Sequence, residues 1–181
     1  MMKYFLLGII ALFCSFTNPI EDAKASSYIT TYHELAVIEM YRTGIPASIT
    51  IAQGMHESGL GQSNLAIYAN NHFGIKCKSY WQGQTYAHKD DDYDENGKLT
   101  KSCFRSYSSA IDSYIDHSNF LTTTAHYAEC FQYDKTDYKN WAHALKRCGY
   151  ATDPAYAEKL INKIDKYNLA VYDTHPNPLK Y

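Results

Sequence analysis

Apolar residues recur at intervals of three and four in five stretches of this chain, and the segment between the second and the third, residues 72–105, lacks that period. Such spacing puts side chains on one face of a 3.6-residue helix, so five helices packing on one another are expected around one irregular insertion. The stripes are Tyr28, Tyr32, Leu35, Ile38 and Tyr41; Ile45, Ile49, Ala52 and Met55; Ile111, Tyr114, Ile115 and Leu121; Trp141, Ala142 and Leu145; and Ala157, Leu160, Ile161, Ile164 and Tyr167. Each is bounded by residues that start or stop helices. The segment "TGIPAS" separates the first two, with Pro46 where a first turn tolerates a missing N–H. Gly59 and Gly61 end the second, Ser106, Ser108 and Ser109 offer caps to the third, and Gly149 stops the fourth. Asp153 as N-cap and Pro154 as first residue open the fifth.

Within the irregular segment, Gln84–His88 and Leu99–Arg105 can pair as a small hairpin across the acidic run "KDDDYDENGK". That run does not complete a calcium-binding helix-loop-helix, because its glycine and distal glutamate are misplaced. At 181 residues the chain has room for one domain with a proper core. The expected fold is therefore α+β: mainly helical, with a small β-hairpin insertion.

Residues 4–16 form an apolar run behind Lys3, followed by the small residues "AKA" at 23–25. This reads as a secretory signal over 1–25, with Ser26 as the mature start, a domain over 26–172 and a fraying tail over 173–181. An uncleaved anchor is the alternative, and Leu12 and Phe13 are too large for lipidation at Cys14. Export implies a secreted or periplasmic protein with no stable membrane insertion once the signal is removed. Four cysteines then remain, and their order favours bridges Cys77–Cys103 and Cys130–Cys148. The net charge of -2 gives no nucleic-acid footprint, and a monomer is expected.

The residue types leave few chemistries open. Eight scattered histidines make no metal set, and Leu60 stands where a zinc protease would carry its second histidine after His56. Neither a metal nor a cofactor is expected. Cysteines that can pair leave no nucleophilic thiol. Paired carboxylates fit better: Glu57 ends an apolar helix, where the macrodipole and apolar neighbours favour the protonated form, and Asp90, Asp91, Asp92, Asp94 and Glu95 stand in the acidic tip of the β region. Glycoside hydrolysis commonly needs one protonated acid and a second assisting carboxylate. Eighteen tyrosines and two tryptophans would suit a carbohydrate groove as well as core edges.

The segments "GIPASITIAQGMHESGLGQSNLA", "NNHFGIKC", "WQG", "CFRSY", "DHSNFL" and "GYATDPAYAEKL", in that order, resemble the bacterial glucosaminidase family of glycoside hydrolases, the peptidoglycan-cleaving endo-β-N-acetylglucosaminidases. The resemblance runs from about Tyr28 to Leu169. It implies a lysozyme-like fold, peptidoglycan glycan strands as partner, and cleavage of the β-1,4 bond between N-acetylglucosamine and N-acetylmuramic acid. It places the general acid on Glu57, the assisting acid on Asp92 with Asp91 and Asp90 as competitors, and substrate contacts on Asn71, Phe73, Gly74 and Tyr150. A lytic transglycosylase or muramidase, or a non-catalytic glycan-binding domain, is the alternative. Two positions depart from the family pattern: His56, where relatives carry an apolar residue and where a cationic imidazole would oppose protonation of Glu57, and Ser102, which is acidic in some relatives.

Overall fold

The computed structural model describes residues 18–93 and 97–180, with the side chains of residues 90–93 and 99 outside that description. Helix α2, Ala47–Glu57, is buried at every position from Ala47 to Met55. Burial on every face means the helix is surrounded, and α1 (Pro19–Thr43), α6 (Tyr156–Lys166) and a 3-10 segment, Leu169–Thr174, pack around it. Ile45, Ile49, Ile51 and Met55 meet Met40, Leu160 and Ile164 in this core. Full burial of each such side chain stabilises the fold by about 1.5–3 kcal/mol. Helix α5 (Tyr138–Arg147) lies on α6, and α4 (Ala110–Thr123) lies on α1.

The five expected helices are present, and two boundaries move. Helix α1 starts at Pro19 rather than Tyr28, with Asn18 accepting from the amide of Ile20 at 3.3 Å. Its added turns are held: Ala25 is fully buried, and Asp22 pairs with Lys166 at 2.7 Å and accepts from Tyr167 at 3.1 Å. The expected junction at 25/26 therefore falls inside a helix. The last helix starts at Tyr156, and Asp153 is not its N-cap; its carboxylate accepts from the amide of Ala155 at 2.9 Å in the preceding turn. A further short helix, α3 (Asn64–Ala69), was outside the expectation, since six residues are too few to display a period. Ser63 caps it, accepting from Ala66 at 3.1 Å.

Asp173 does not fray. It is buried, and accepts from the backbone N–H and the hydroxyl of Ser48 at 2.8 and 2.7 Å. Pro46 precedes α2 and has no side chain able to cap it, so a carboxylate far along the chain caps the N-terminus of α2 instead.

The hairpin forms from β1 (Thr85–Tyr93) and β2 (Leu99–Arg105), in antiparallel register from Thr85↔Arg105 to Lys89↔Lys101, then an irregularity before Tyr93↔Leu99. The Cys77–Cys103 disulfide ties the preceding loop to β2. The second expected bridge is absent: Cys130 and Cys148 are free thiols in hydrogen-bonding contact with each other. Cys148 also lies 3.9 Å from a carboxylate oxygen of Glu129, which is itself engaged by Arg147. Among the described residues no helix is long and apolar enough to cross a membrane.

Candidate active site

A cleft of about 1070 Å3 runs between the hairpin and the C-terminal end of α4. Its floor carries Glu57, Phe73, Gly74, Ile75 and Tyr150; the hairpin side presents Lys76, Lys78, Tyr80, His88 and Lys89; the opposite side presents Phe120, Thr123, Thr124, His126 and Tyr127. Among the described residues Glu57 is the only carboxylate on this lining.

Local sequence explains why the acid sits at the rim of a buried helix. Glu57 is the last residue of α2, and Gly59, Leu60 and Gly61 follow in left-handed backbone conformations that reverse the chain. Ser58 holds the reversal, donating to the carbonyl of Gly54 at 2.5 Å and accepting from the amide of Gly61 at 2.7 Å. Gly54 lets the helix approach Tyr28, whose hydroxyl would lie 2.5 Å from an added Cβ. That hydroxyl bonds His72 Nδ1 and Tyr114 OH, both at 2.9 Å.

Burial raises the pKa of Glu57, opposed by a hydrogen bond from Tyr156, whose hydroxyl donates to Oε1 at 2.8 Å. The buried amide of Gln53 donates to the same hydroxyl at 3.0 Å. The Tyr156 ring stacks on Tyr150, with centroids 5.6 Å apart and planes at 21°. The acid thus stands on a support built from α2 and α6. His56 does not oppose its protonation, because burial and then Lys163 and Lys159 lower the imidazole pKa below the ordinary histidine value.

The other expected site residues separate. Phe73, Gly74 and Tyr150 line the cleft with Glu57. Asn71 is buried behind them: its amide donates to the carbonyls of Ile75 and Arg105 at 3.0 and 2.8 Å, and its oxygen accepts from the amide of Ile75 at 3.1 Å. It fixes the loop that presents Phe73 and Gly74 and is absent from the lining. Asp92, with Asp90 and Asp91, lies on β1, and these side chains are outside the described residues. Tyr156 and Gln53 were missed. A signal for Tyr156 existed: it heads the stripe continued by Leu160 and Ile164, where a ring with a polar tip suits the edge of a core. Among the described residues no three histidine, cysteine or acidic side chains gather as metal ligands.

Residues 33–169 match the family profile described as mannosyl-glycoprotein endo-beta-N-acetylglucosaminidase. The chain belongs to the glucosaminidase family. It is 34% identical to the exo-glucosaminidase LytG of Bacillus subtilis over 92% of this chain and 62% of that protein. It is 33% identical to the peptidoglycan hydrolase FlgJ of Vibrio cholerae, over 79% of this chain and 45% of that one. The chain thus spans between about half and three fifths of these curated relatives. The catalytic domain of the autolysin Auto from Listeria monocytogenes superposes with a TM-score of 0.73 at 27% identity, covering 83% of this chain and 88% of that domain. The glycoside hydrolase domain of Salmonella typhimurium FlgJ gives 0.64 at 29%, covering 80% and 88%. The fold is that of these lysozyme-like glucosaminidase domains, a helical body with one two-stranded sheet.

Proposed function

We propose that this chain hydrolyses the β-1,4 bond between N-acetylglucosamine and N-acetylmuramic acid in peptidoglycan, with Glu57 as general acid. The observation that carries the reading is a carboxyl at the floor of a glycan-sized cleft, where burial raises its pKa and so favours the proton a general acid must hold. The names of the relatives, peptidoglycan hydrolase and exo-glucosaminidase, support the substrate class.

The hydrogen-bond chain supports a direction for the proton. With Gln53 donating into Tyr156 and Tyr156 donating into Oε1, Oε1 is committed as an acceptor. The acidic proton then sits on Oε2 and passes to the departing glycosidic oxygen as the bond breaks. Tyr150 and Phe73 line the cleft with Glu57 and would border the sugars beside that bond. Two routes complete the reaction. In one, Asp92 on β1 activates water; in the other, the acetamido oxygen of the substrate assists departure and water opens the resulting ring. The domain acts after export, in the periplasm or outside the cell, as a monomer without cofactor.

Glu57→Gln keeps the shape and removes the proton. Wall lysis on a zymogram should fall about a thousandfold, with the circular dichroism spectrum and melting curve of the parent. Parental turnover by that variant sinks the assignment. Mass analysis of released fragments decides the bond: a reducing N-acetylglucosamine end supports it, whereas an anhydromuramic end makes the chain a transglycosylase.

A further inference from the structure

Among the described residues the two sides of the cleft differ in their cations. The hairpin side carries Lys76, Lys78 and Lys89, with Asp90, Asp91 and Asp92 continuing β1 beyond Lys89 toward the turn, whereas the α4 side carries hydroxyls and His126. Lys76 is half-buried, with its ammonium 5.9 Å from the Phe104 ring centre. Lys78 and Lys89 are exposed, and among the described residues neither is paired with a carboxylate. They come from different segments, Lys78 beside the disulfide at Cys77 and Lys89 from β1. The disulfide and the ladder between β1 and β2 therefore hold both on one side of the cleft.

A neutral sugar strand, all hydroxyls and acetamides, gives exposed ammonium groups little to recognise. Peptidoglycan is not neutral. Each ring of a β-1,4 strand is turned about half a revolution from the last, so groups on every second ring fall along one edge. In peptidoglycan these groups are the peptide stems, which carry free carboxylates.

We propose that Lys78 and Lys89 form an anion-reading edge that takes stem-peptide carboxylates, turning the stem-bearing side of the strand toward the hairpin and favouring strands whose stem carboxylates are free over strands whose stem carboxylates are amidated. This rests on the reading of the cleft as a peptidoglycan site. Exposed charge pairs are weak and screened by salt, so two of them give a preference of about tenfold at low ionic strength.

The test compares kcat/KM of the wild type and of the Lys78→Glu, Lys89→Glu double variant on soluble strands with free stem carboxylates and on the same strands with those carboxylates amidated. The free to amidated ratio should fall about tenfold in the double variant. In the wild type it should shrink as salt rises from about 20 to 500 mM. A ratio that neither charge reversal nor salt moves by more than twofold overturns the proposal. Binding of both strands to Glu57→Gln protein keeps the test independent of turnover. If Glu57→Gln still cleaves, the assigned acid fails, while the binding ratio of the charge-reversed protein on the Glu57→Gln background still upholds or overturns the edge.

Discussion

The floor and the hairpin side of the cleft are built by opposite means. Glu57 rests on α2, buried from Ala47 to Met55 and capped at its far end by Asp173. The hairpin has two strands, too few to be stable alone, and is held by a disulfide and by Arg105. The Arg105 guanidinium donates to Asp116 at 2.8 and 3.0 Å and to Tyr80 at 3.0 Å, and lies 4.6 Å from the Trp81 ring centre. A proton donor needs a fixed position, which a packed core supplies. A surface that reads substrate needs only enough order to present its groups, which a few cross-links supply.

The largest effect that would sharpen this contrast lies in the helical body at acid pH. Burial lowers the pKa of His72 to about 4 and of His117 to about 3, below the ordinary 6.5. The unfolded chain therefore binds more protons below 6.5, and stability present above that pH is lost as pH falls toward 4 and then 3. For His72 alone the loss is about 3 kcal/mol. Burial raises Asp173 to about 6, which works in the opposite sense between 6 and 3.8 and offsets part of it. Among the described residues neither nitrogen of His117 has a partner, and its ring stacks on Phe73 at 3.9 Å. His117→Phe should raise the melting temperature at pH 4 and flatten the acid limb; an unchanged limb refutes this account.

Reducing the Cys77–Cys103 disulfide, which spans 26 residues, should remove about 3 kcal/mol of constraint. The hairpin should loosen while the helical body persists, so activity falls with little change in far-ultraviolet dichroism. Simultaneous loss of both signals would break the contrast.

A chain trimmed to residues 26–172 loses the Asn18 cap, the Asp22–Lys166 pair and the Asp173 cap of α2. Two lost caps and a surface pair predict a deficit of about 2–3 kcal/mol against residues 18–181, read from denaturant melts. Equal stability would support the narrower boundaries.

The smallest effect is at the acid itself. Tyr156→Phe removes the hydrogen bond that lowers the pKa of Glu57, so the alkaline limb of the activity profile should move to higher pH. The loss of orientation should cost about tenfold in kcat, near 1.4 kcal/mol. A shift to lower pH contradicts the support described for Glu57.

Legibility in the sequence followed the range of the forces involved. Amphipathic stripes and the glycines after Glu57 are local, so the main helices, the hairpin strands and the place of Glu57 at a helix end could be read directly, whereas its role as acid came from the family resemblance. Asp173 capping Ser48, 125 positions away, leaves no local trace. Tyr156 was hidden because an aromatic in a stripe reads as core, and its hydroxyl gains meaning only when α6 meets α2. Asn71 was drawn toward the substrate by its motif, yet its amide is spent on the backbone.

The cap supplied by Asp173 makes the anchoring of Glu57 a late event in folding. The N-terminus of α2 gains this contact, worth about 1 kcal/mol, only when α6 and the 3-10 segment after it have docked, so the base of the helix that carries the acid is tightened from the far end of the fold.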